Sequence, residues 1–223
     1  MRKGDEKKQA ILTVAKELFY QKGYELTSVN DILDRLGCSK GSFYHHFDTK
    51  YQVLETICRQ QCESILAAVP PCDTPLSRLQ ALLRAAMPLI PEQEDFLCLI
   101  LPASRQEDAP ALLHQTARAL EETFAPALIQ ALESCHNAGN VYLRDAELMS
   151  RTVLEILSRL WLDVSDVVLK QQCEDVTVEL LRLLNHARFC IERLIDMPYG
   201  TLALLDAAET VSLLSRVRER TGL

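Results

Sequence analysis

Apolar residues recur every three or four positions along most of the chain, which is the spacing of an amphipathic helix. In residues 5–22, for example, Ile11, Ala15, Leu18 and Phe19 fall on one face. There is no alternating run of Val, Ile and Thr bounded by turn residues, so no strand is predicted. The pattern therefore predicts an all-α protein.

Capping residues and glycines divide the first fifty residues into short helices. Gly23 is predicted to end the first helix, because glycine suits a left-handed C-terminal cap. Thr27 or Ser28 can cap a second helix, which Gly37 ends, and Ser39 can cap a short third helix. The first fifty residues are therefore predicted to form three short helices, which are called the head below.

The remaining chain is predicted to form a larger helical body. Asp48 or Thr49 can cap a fourth helix over residues 50–69, and prolines punctuate the pattern beyond it. Pro126 falls inside one helical segment, so a kink or a split is expected there. The other predicted helices cover residues 75–89, 92–105, 108–138, 145–171, 173–196 and 201–220.

The predicted third helix carries a distinctive set of side chains in the stretch GCSKGSFYHHF, residues 37–47. Phe43 and Phe47 are four residues apart and share one face, which is predicted to pack on the first two helices. Two helices joined by a short glycine turn form a helix-turn-helix unit, whose second helix enters the DNA major groove. The outward side chains suit phosphate oxygens and base edges. They are Lys40, Ser42, Tyr44, His45 and His46.

The run GYELTSVNDILDRLGCSKGSFYHHFDTKYQVL, residues 23–54, resembles the DNA-binding segment of the TetR/AcrR family of bacterial transcriptional regulators. Cys38 departs from the family pattern, which usually has valine or isoleucine there, and Leu33 and Leu36 replace common alanines. The positions that carry the resemblance are Gly23, Tyr24, Thr27, Ile32, Gly37, Ser39, Lys40, Gly41, Tyr44, Phe47 and Lys50.

The resemblance implies a DNA-binding domain at residues 1–50 and an effector-binding and dimerisation domain at residues 51–223. It also implies a homodimer that binds double-stranded operator DNA and is released by a small-molecule effector. Lys40, Gly41 and Ser42 would face base edges. Phosphates would be contacted by Thr27, Tyr44, His45 and Lys50, and Ser39 would cap the third helix. The implied DNA-binding residues are Thr27, Ser39, Lys40, Gly41, Ser42, Tyr44, His45 and Lys50.

The body is expected to hold the effector pocket and the dimer interface. An apolar or amphipathic effector is expected, because few charges would line such a pocket. The predicted pocket residues are Met87, Phe96, Cys98, Leu101, His114, Arg118, Phe124 and Trp161. The last long helices could form a four-helix bundle between subunits, or bury the same faces within one subunit. Those faces include Leu157, Leu160, Val164, Leu180, Leu184, Ala187 and Ile191.

Charge is distributed unevenly along the chain. The formal net charge of −7 argues against nucleic acid for the chain as a whole. Residues 1–50, however, hold nine basic and seven acidic side chains, a net +2, while the other residues sum to −9. Only the head is therefore expected to meet a polyanion.

The eight cysteines include no C-x-x-C pair, and most are expected to be reduced core or surface thiols. A zinc site from His45, His46, Cys58 and Cys62 is disfavoured, because adjacent helical histidines diverge by about 100°. No cofactor or metal is expected. The charged N-terminus lacks a signal peptide and no apolar run is long enough to cross a membrane, so a cytoplasmic protein without membrane contact is expected.

Other classes of function stay open at this point. Cysteines could make the chain a thiol- or metal-sensing regulator, and a regulator of this kind could be an activator instead of a repressor. A helical head could also serve a protein interaction module that does not bind DNA. An enzyme is not expected, since there is no pair of E-x-x-H motifs, no H-E-x-x-H motif and no P-loop.

Overall fold

A computed structural model describes residues 3–88, 90–103, 109–169, 176–204 and 206–222. The regular structure in these ranges is entirely helical, which confirms the predicted all-α class. The α-helices are α1 (Lys3–Lys22), α2 (Val29–Leu36), α3 (Lys40–Tyr44), α4 (Lys50–Ala67), α5 (Pro75–Ala86), α6 (Glu94–Ala103), α7 (Ala109–Asn137), α8 (Ala146–Leu169), α9 (Val176–Leu194) and α10 (Ala207–Thr221), with a short 3₁₀ helix at Pro91–Gln93.

The head helices end where the capping residues predicted. Ser28 caps α2 in a capping box with Asp31, and Gly37 ends the helix at a φ of 60°, in the left-handed region. Gly23 follows α1 at a φ of 87° and its N–H donates to the Phe19 carbonyl. The turns that set the three head helices against one another are thus fixed locally.

Several body helices are shorter than predicted. α5 ends at Ala86 because Met87 precedes Pro88 and takes an extended ψ of 145°, which relieves the clash with the proline ring. α10 begins at Ala207, where the Asp206 carboxylate caps it. The predicted start of the ninth helix, residues 173–175, lies outside the described residues.

Pro126 lies inside α7, which runs unbroken from Ala109 to Asn137. Of the two predicted outcomes, a split is excluded and a kink stays a prediction. α7 packs on α4, α5 and α8, and these contacts support both sides of the position where proline cannot donate a backbone hydrogen bond.

α4 connects the head to the body. Its N-terminal half packs against the head, with Val53 and Leu54 buried, and the helix also packs along α7 and α5. α8 packs between α7 and α9, and α10 packs on α6. No helix in the described ranges is long and apolar enough to cross a membrane.

Candidate nucleic-acid interface

α3 is held to the head by Phe43 on its inner face and by Phe47, which lies three residues beyond the end of the helix. Phe43 and Phe47 are almost completely buried, and their ring centroids are 6.0 Å apart. Ser39 caps the helix and its hydroxyl accepts the Ser42 N–H at 3.4 Å. A helix of five residues is too short to be stable alone, so this packing fixes its position.

The outer face of α3 presents the polar side chains predicted to contact DNA. Ser39, Lys40, Gly41 and His45 are exposed, Ser42 is half-buried, and Tyr44 keeps 53% of its surface accessible. A Cβ built on Gly41 would meet only the Ser39 hydroxyl, at 3.9 Å. Since the fold does not require glycine at this position, its small size is more useful for a close approach by a ligand.

Thr27 and Lys50, also predicted to contact phosphates, make bonds within the head. Thr27 is fully buried and its hydroxyl donates to the Gly23 carbonyl at 2.7 Å, so it cannot reach a phosphate in this conformation. The Lys50 ammonium donates to the Tyr24 carbonyl at 2.8 Å and lies 4.0 Å from the centre of the Tyr24 ring. Both residues fix the turn between α1 and α2.

The segment Gly37–Gly41 has the form G-x-S-x-G, which also occurs around the nucleophilic serine of α/β-hydrolases. In those enzymes the serine lies on a sharp turn between a strand and a helix. Ser39 instead follows helix α2 and its hydroxyl caps α3. The geometry is that of a helix cap within a helix-turn-helix unit.

Four of the predicted pocket residues form part of a packed interior. Met87, Phe96, Phe124 and Trp161 are buried, and the rings of Phe96 and Trp161 meet edge to face at 6.0 Å. The Trp161 indole N–H donates to the Ala86 carbonyl at 3.2 Å. Cys98 and Leu101 are buried as well. These side chains are part of the apolar core.

His114 and Arg118, the two polar residues predicted for the pocket, lie on the surface. Both are exposed, and the Arg118 guanidinium pairs with Glu122 at 2.7 Å, one turn along α7. Their place in an effector pocket stays a prediction. Both lie on the solvent-exposed face of α7, which is an amphipathic helix. The spacing of residues in the sequence did not show which face of this helix is exposed.

The residues predicted for the dimer interface are buried within the single chain. All seven are less than a tenth exposed, because α8 packs against both α7 and α9. Two of them, Leu160 and Ala187, also line an open groove of about 410 Å³ on the outer side of α8 and α9. The other lining residues include Ile156, Arg159, Asp163, Leu183, His186 and Cys190.

The thiols of Cys58 and Cys62 lie in the core beneath the head. Burial raises the pKa of Cys58 to about 11 and that of Cys62 to about 12, so both stay protonated at neutral pH. The histidines proposed with them, His45 and His46, lie on the head surface. No cluster of three or more His, Cys, Asp or Glu in the described part of the chain could hold a metal.

A helix-turn-helix unit with an exposed polar recognition helix defines a class of DNA-binding protein. Residues 11–57 match the model of the bacterial regulatory proteins of the tetR family. The head of the chain is therefore a DNA-binding domain of the tetR family of regulatory proteins.

Two relatives are named as helix-turn-helix transcriptional regulators. YerO of Bacillus subtilis, itself uncharacterized, is 24% identical over 209 residues, which cover 88% of this chain and 66% of YerO. The repressor KstR2 of Mycobacterium tuberculosis is 33% identical over 84 residues, which cover 36% of this chain and 42% of KstR2. The chain thus matches less than two thirds of the length of each of these relatives. Both are named as regulators and not as enzymes.

The fold also occurs in solved structures. RolR in complex with its ligand resorcinol superposes with a TM-score of 0.55 at 16% identity, over 96% of each chain. At this identity the likeness concerns the fold alone.

Proposed function

We propose that the chain is a homodimeric repressor that leaves its operator when a small molecule binds. The observation that carries the proposal is the row of accessible side chains at α3, which two buried phenylalanines hold in place. Lys40, Tyr44 and His45 are exposed, and Ser42 is half-buried. A lysine can contact guanine or phosphate, and hydroxyls and imidazole N–H groups suit phosphate oxygens. Its place of action would be the bacterial cytoplasm, where operator DNA lies.

Fewer residues are proposed to contact DNA than the sequence implied. Ser39, Lys40, Gly41, Ser42, Tyr44 and His45 remain, because their surfaces are accessible. Thr27 is assigned to the fold of the head instead. Lys50 is assigned to the turn as well, although its side chain is only half-buried and lies beside the same surface.

The dimer would form through the outer faces of α8 and α9. The groove there combines half-buried apolar side chains, Ile156 and Leu183, with the ion pair of Arg159 and Asp163 at 2.6 Å. Apolar groups with polar groups around them are the composition of a subunit interface. Two heads on one dimer could then bind two half-sites about one helical turn apart.

A repressor is favoured over an activator because KstR2, which matches 84 residues of this chain, is named a repressor. A small-molecule effector is favoured by RolR, which shares the fold and is named with resorcinol bound. Thiol sensing by Cys58 and Cys62 is less well supported, since both thiols are buried and protonated.

The test is operator binding by the purified chain, measured by fluorescence anisotropy with DNA from upstream of its own gene. Lys40→Ala and Tyr44→Ala should each weaken binding about tenfold, roughly 1.4 kcal/mol, at unchanged melting temperature. If Lys40 contacts a phosphate, its variant should also lower the salt slope by about 1. Arg144→Ala and Tyr142→Ala, exposed positions in the body, are the matched controls.

Unchanged operator affinity in both Lys40→Ala and Tyr44→Ala would contradict the proposal that the side chains of α3 contact DNA. The sign of regulation needs a second measurement, namely transcription from the bound promoter with and without the gene. A rise on deletion identifies a repressor, and a fall identifies an activator.

A further inference from the structure

A cysteine and a histidine lie one turn apart on the outer face of α9. The Sγ atom of Cys190 is 3.6 Å from Nε2 of His186, and neither side chain is buried. Residues four apart on a helix share one face, so the sulfur and the ring nitrogen are both accessible from the same side. Neither residue is among the proposed DNA contacts, and the proposed function leaves the pair without a role.

The separation of these two atoms matches the distance between two ligands of a tetrahedral zinc ion. Zinc lies about 2.3 Å from a thiolate sulfur and about 2.0–2.1 Å from an imidazole nitrogen. At a tetrahedral angle of about 109°, these lengths place the sulfur and the nitrogen about 3.6 Å apart. Two ligands four residues apart on one helix also bind a single zinc ion in the H-E-x-x-H motif. Cys190 and His186 are therefore spaced to bind one zinc ion together.

One chain supplies only half of such a site. A structural zinc ion takes four protein ligands, commonly two cysteines and two histidines. No group of three or more His, Cys, Asp or Glu side chains in the part of the chain that the structure describes could hold a metal ion by itself. Asp163 lines the same groove as the pair, but its carboxylate bonds Arg159 at 2.6 Å. A closed site therefore needs two further ligands from another molecule.

The pair lies in the groove proposed as the subunit contact. The α9 wall of this groove extends from Leu183 to Cys190, with His186 and Ala187 in its middle. In a two-fold dimer the same patch meets itself, so residues near the axis lie beside their own copies. Ala187 is small, which lets two α9 helices approach to about 8 Å, the short end of the usual spacing of packed helices. At that spacing the two Cys190–His186 pairs would face each other across one ion.

We infer that Cys190 and His186, together with the same two residues of a second copy of the chain, form a zinc site at the subunit contact. The inference rests on the dimer of the proposed function and adds a metal ion to it. Zinc suits this ligand set, because it binds both thiolate sulfur and imidazole nitrogen and takes four ligands. Each thiol releases its proton to solvent when the metal binds, so the two thiolates balance the double positive charge of the ion.

The first test is isothermal titration calorimetry of the full chain with zinc chloride, in the presence of a phosphine reductant and without DNA. We expect one zinc ion to bind per two chains. Cys190→Ser and His186→Ala each remove two of the four ligands of a dimer and should weaken zinc binding roughly a hundredfold or more. Cobalt chloride should give the visible absorption of a tetrahedral ion and a thiolate charge-transfer band, and Cys190→Ser should abolish that band.

Three control variants make this result specific. Asn185→Ala changes the exposed neighbour of His186, and Cys72→Ser removes a half-buried thiol outside the groove. Both should bind zinc as the wild type does. Ile156→Lys keeps both ligands but places a positive charge on the α8 wall of the groove, where the partner would have to bury it. It should therefore weaken zinc binding, because the second pair of ligands can no longer approach.

The second test is sedimentation equilibrium with and without zinc chloride. Zinc should lower the dimer dissociation constant of the wild type about tenfold or more and leave that of Cys190→Ser unchanged. One zinc ion per chain, or zinc binding that Cys190→Ser, His186→Ala or Ile156→Lys does not weaken, would overturn the inference.

The proposed function and the zinc site fail in different ways. A wild type that forms a dimer and selects its operator but does not bind zinc would refute the zinc site alone. A zinc-linked dimer that selects no operator would support the zinc site and refute the proposed function instead.

Discussion

At the start of α2, the side chains of Ser28 and Asp31 each accept a hydrogen bond from the other residue's backbone N–H. The Ser28 hydroxyl accepts the Asp31 N–H at 3.1 Å, and the Asp31 carboxylate accepts the Ser28 N–H at 2.6 Å. The hydrogen bond from the Ser28 side chain, and then that from Lys22, holds the pKa of Asp31 well below its ordinary value. A carboxyl group with a lowered pKa stabilises the fold above the pKa of the unfolded chain, and this contribution is lost as pH falls.

Ser28→Ala should therefore lower the melting temperature by about 2–4 °C at pH 7, the usual effect of losing an N-cap of about 1 kcal/mol. The difference from the wild type should shrink below about pH 4, where Asp31 becomes protonated in the unfolded chain. Calorimetric melting at pH 7 and pH 3 measures both. Thr49→Ala removes an N-cap that has no carboxylate partner, so its effect should not depend on pH in this way. An equal loss at both pH values in Ser28→Ala would contradict the role given to Asp31.

The same scale shows why some residue roles could not be predicted. Thr27 and Ser39 are both hydroxyl residues at helix starts, yet one is fully buried and the other exposed. The difference arises from the turn after α1, where Gly23 presents its carbonyl to Thr27. A side chain's direction at a helix start depends on such tertiary details, which a linear motif does not contain.

At the scale of elements, α3 depends on its neighbours. Five helical residues cannot hold their shape alone, and the buried rings of Phe43 and Phe47 supply the missing stability. The sequence predicted this helix, its cap and its two inward residues, because the local signals agree. It did not predict which face of α8 and α9 stays accessible, since both faces carry apolar residues.

Phe43→Ala should remove the support of α3 and lower the free energy of unfolding by about 3–5 kcal/mol, the usual effect of a cavity left by a buried phenylalanine. Operator binding should be lost with it. Urea unfolding and anisotropy measure the two effects. Tyr44→Ala, the next residue on the exposed side, should weaken binding while leaving stability within about 0.5 kcal/mol. Wild-type stability in Phe43→Ala would show that α3 is not held in this way.

At the scale of the whole molecule, α4 joins the head to the body. It packs along α1 in the head and along α7 and α5 in the body, so in the proposed regulator a change at one end would be carried by a single helix. The division at residue 50 predicted from the sequence falls at the first residue of this helix. A boundary there assigns all of α4 to the body, although its first turns also pack on the head.

The proposed dimer gives a prediction at this scale. Leu183→Glu places a charge in the groove of α8 and α9, where association would have to bury it. The dimer dissociation constant should rise about tenfold or more, and operator affinity should fall with it. Sedimentation equilibrium measures the first effect. Val211→Glu, on the exposed side of α10, is the matched control. An unchanged dimer in Leu183→Glu would place the subunit contact elsewhere.

The separation of charge between the first fifty residues, at +2, and the rest, at −9, affects how the chain meets DNA. In the field of a duplex the molecule experiences a torque that turns its head inward and its body away, so more collisions begin in a productive orientation. At physiological ionic strength this guidance acts only over about 8 Å. It would therefore speed the last step of approach and leave the lifetime of the finished complex to the side chains of α3.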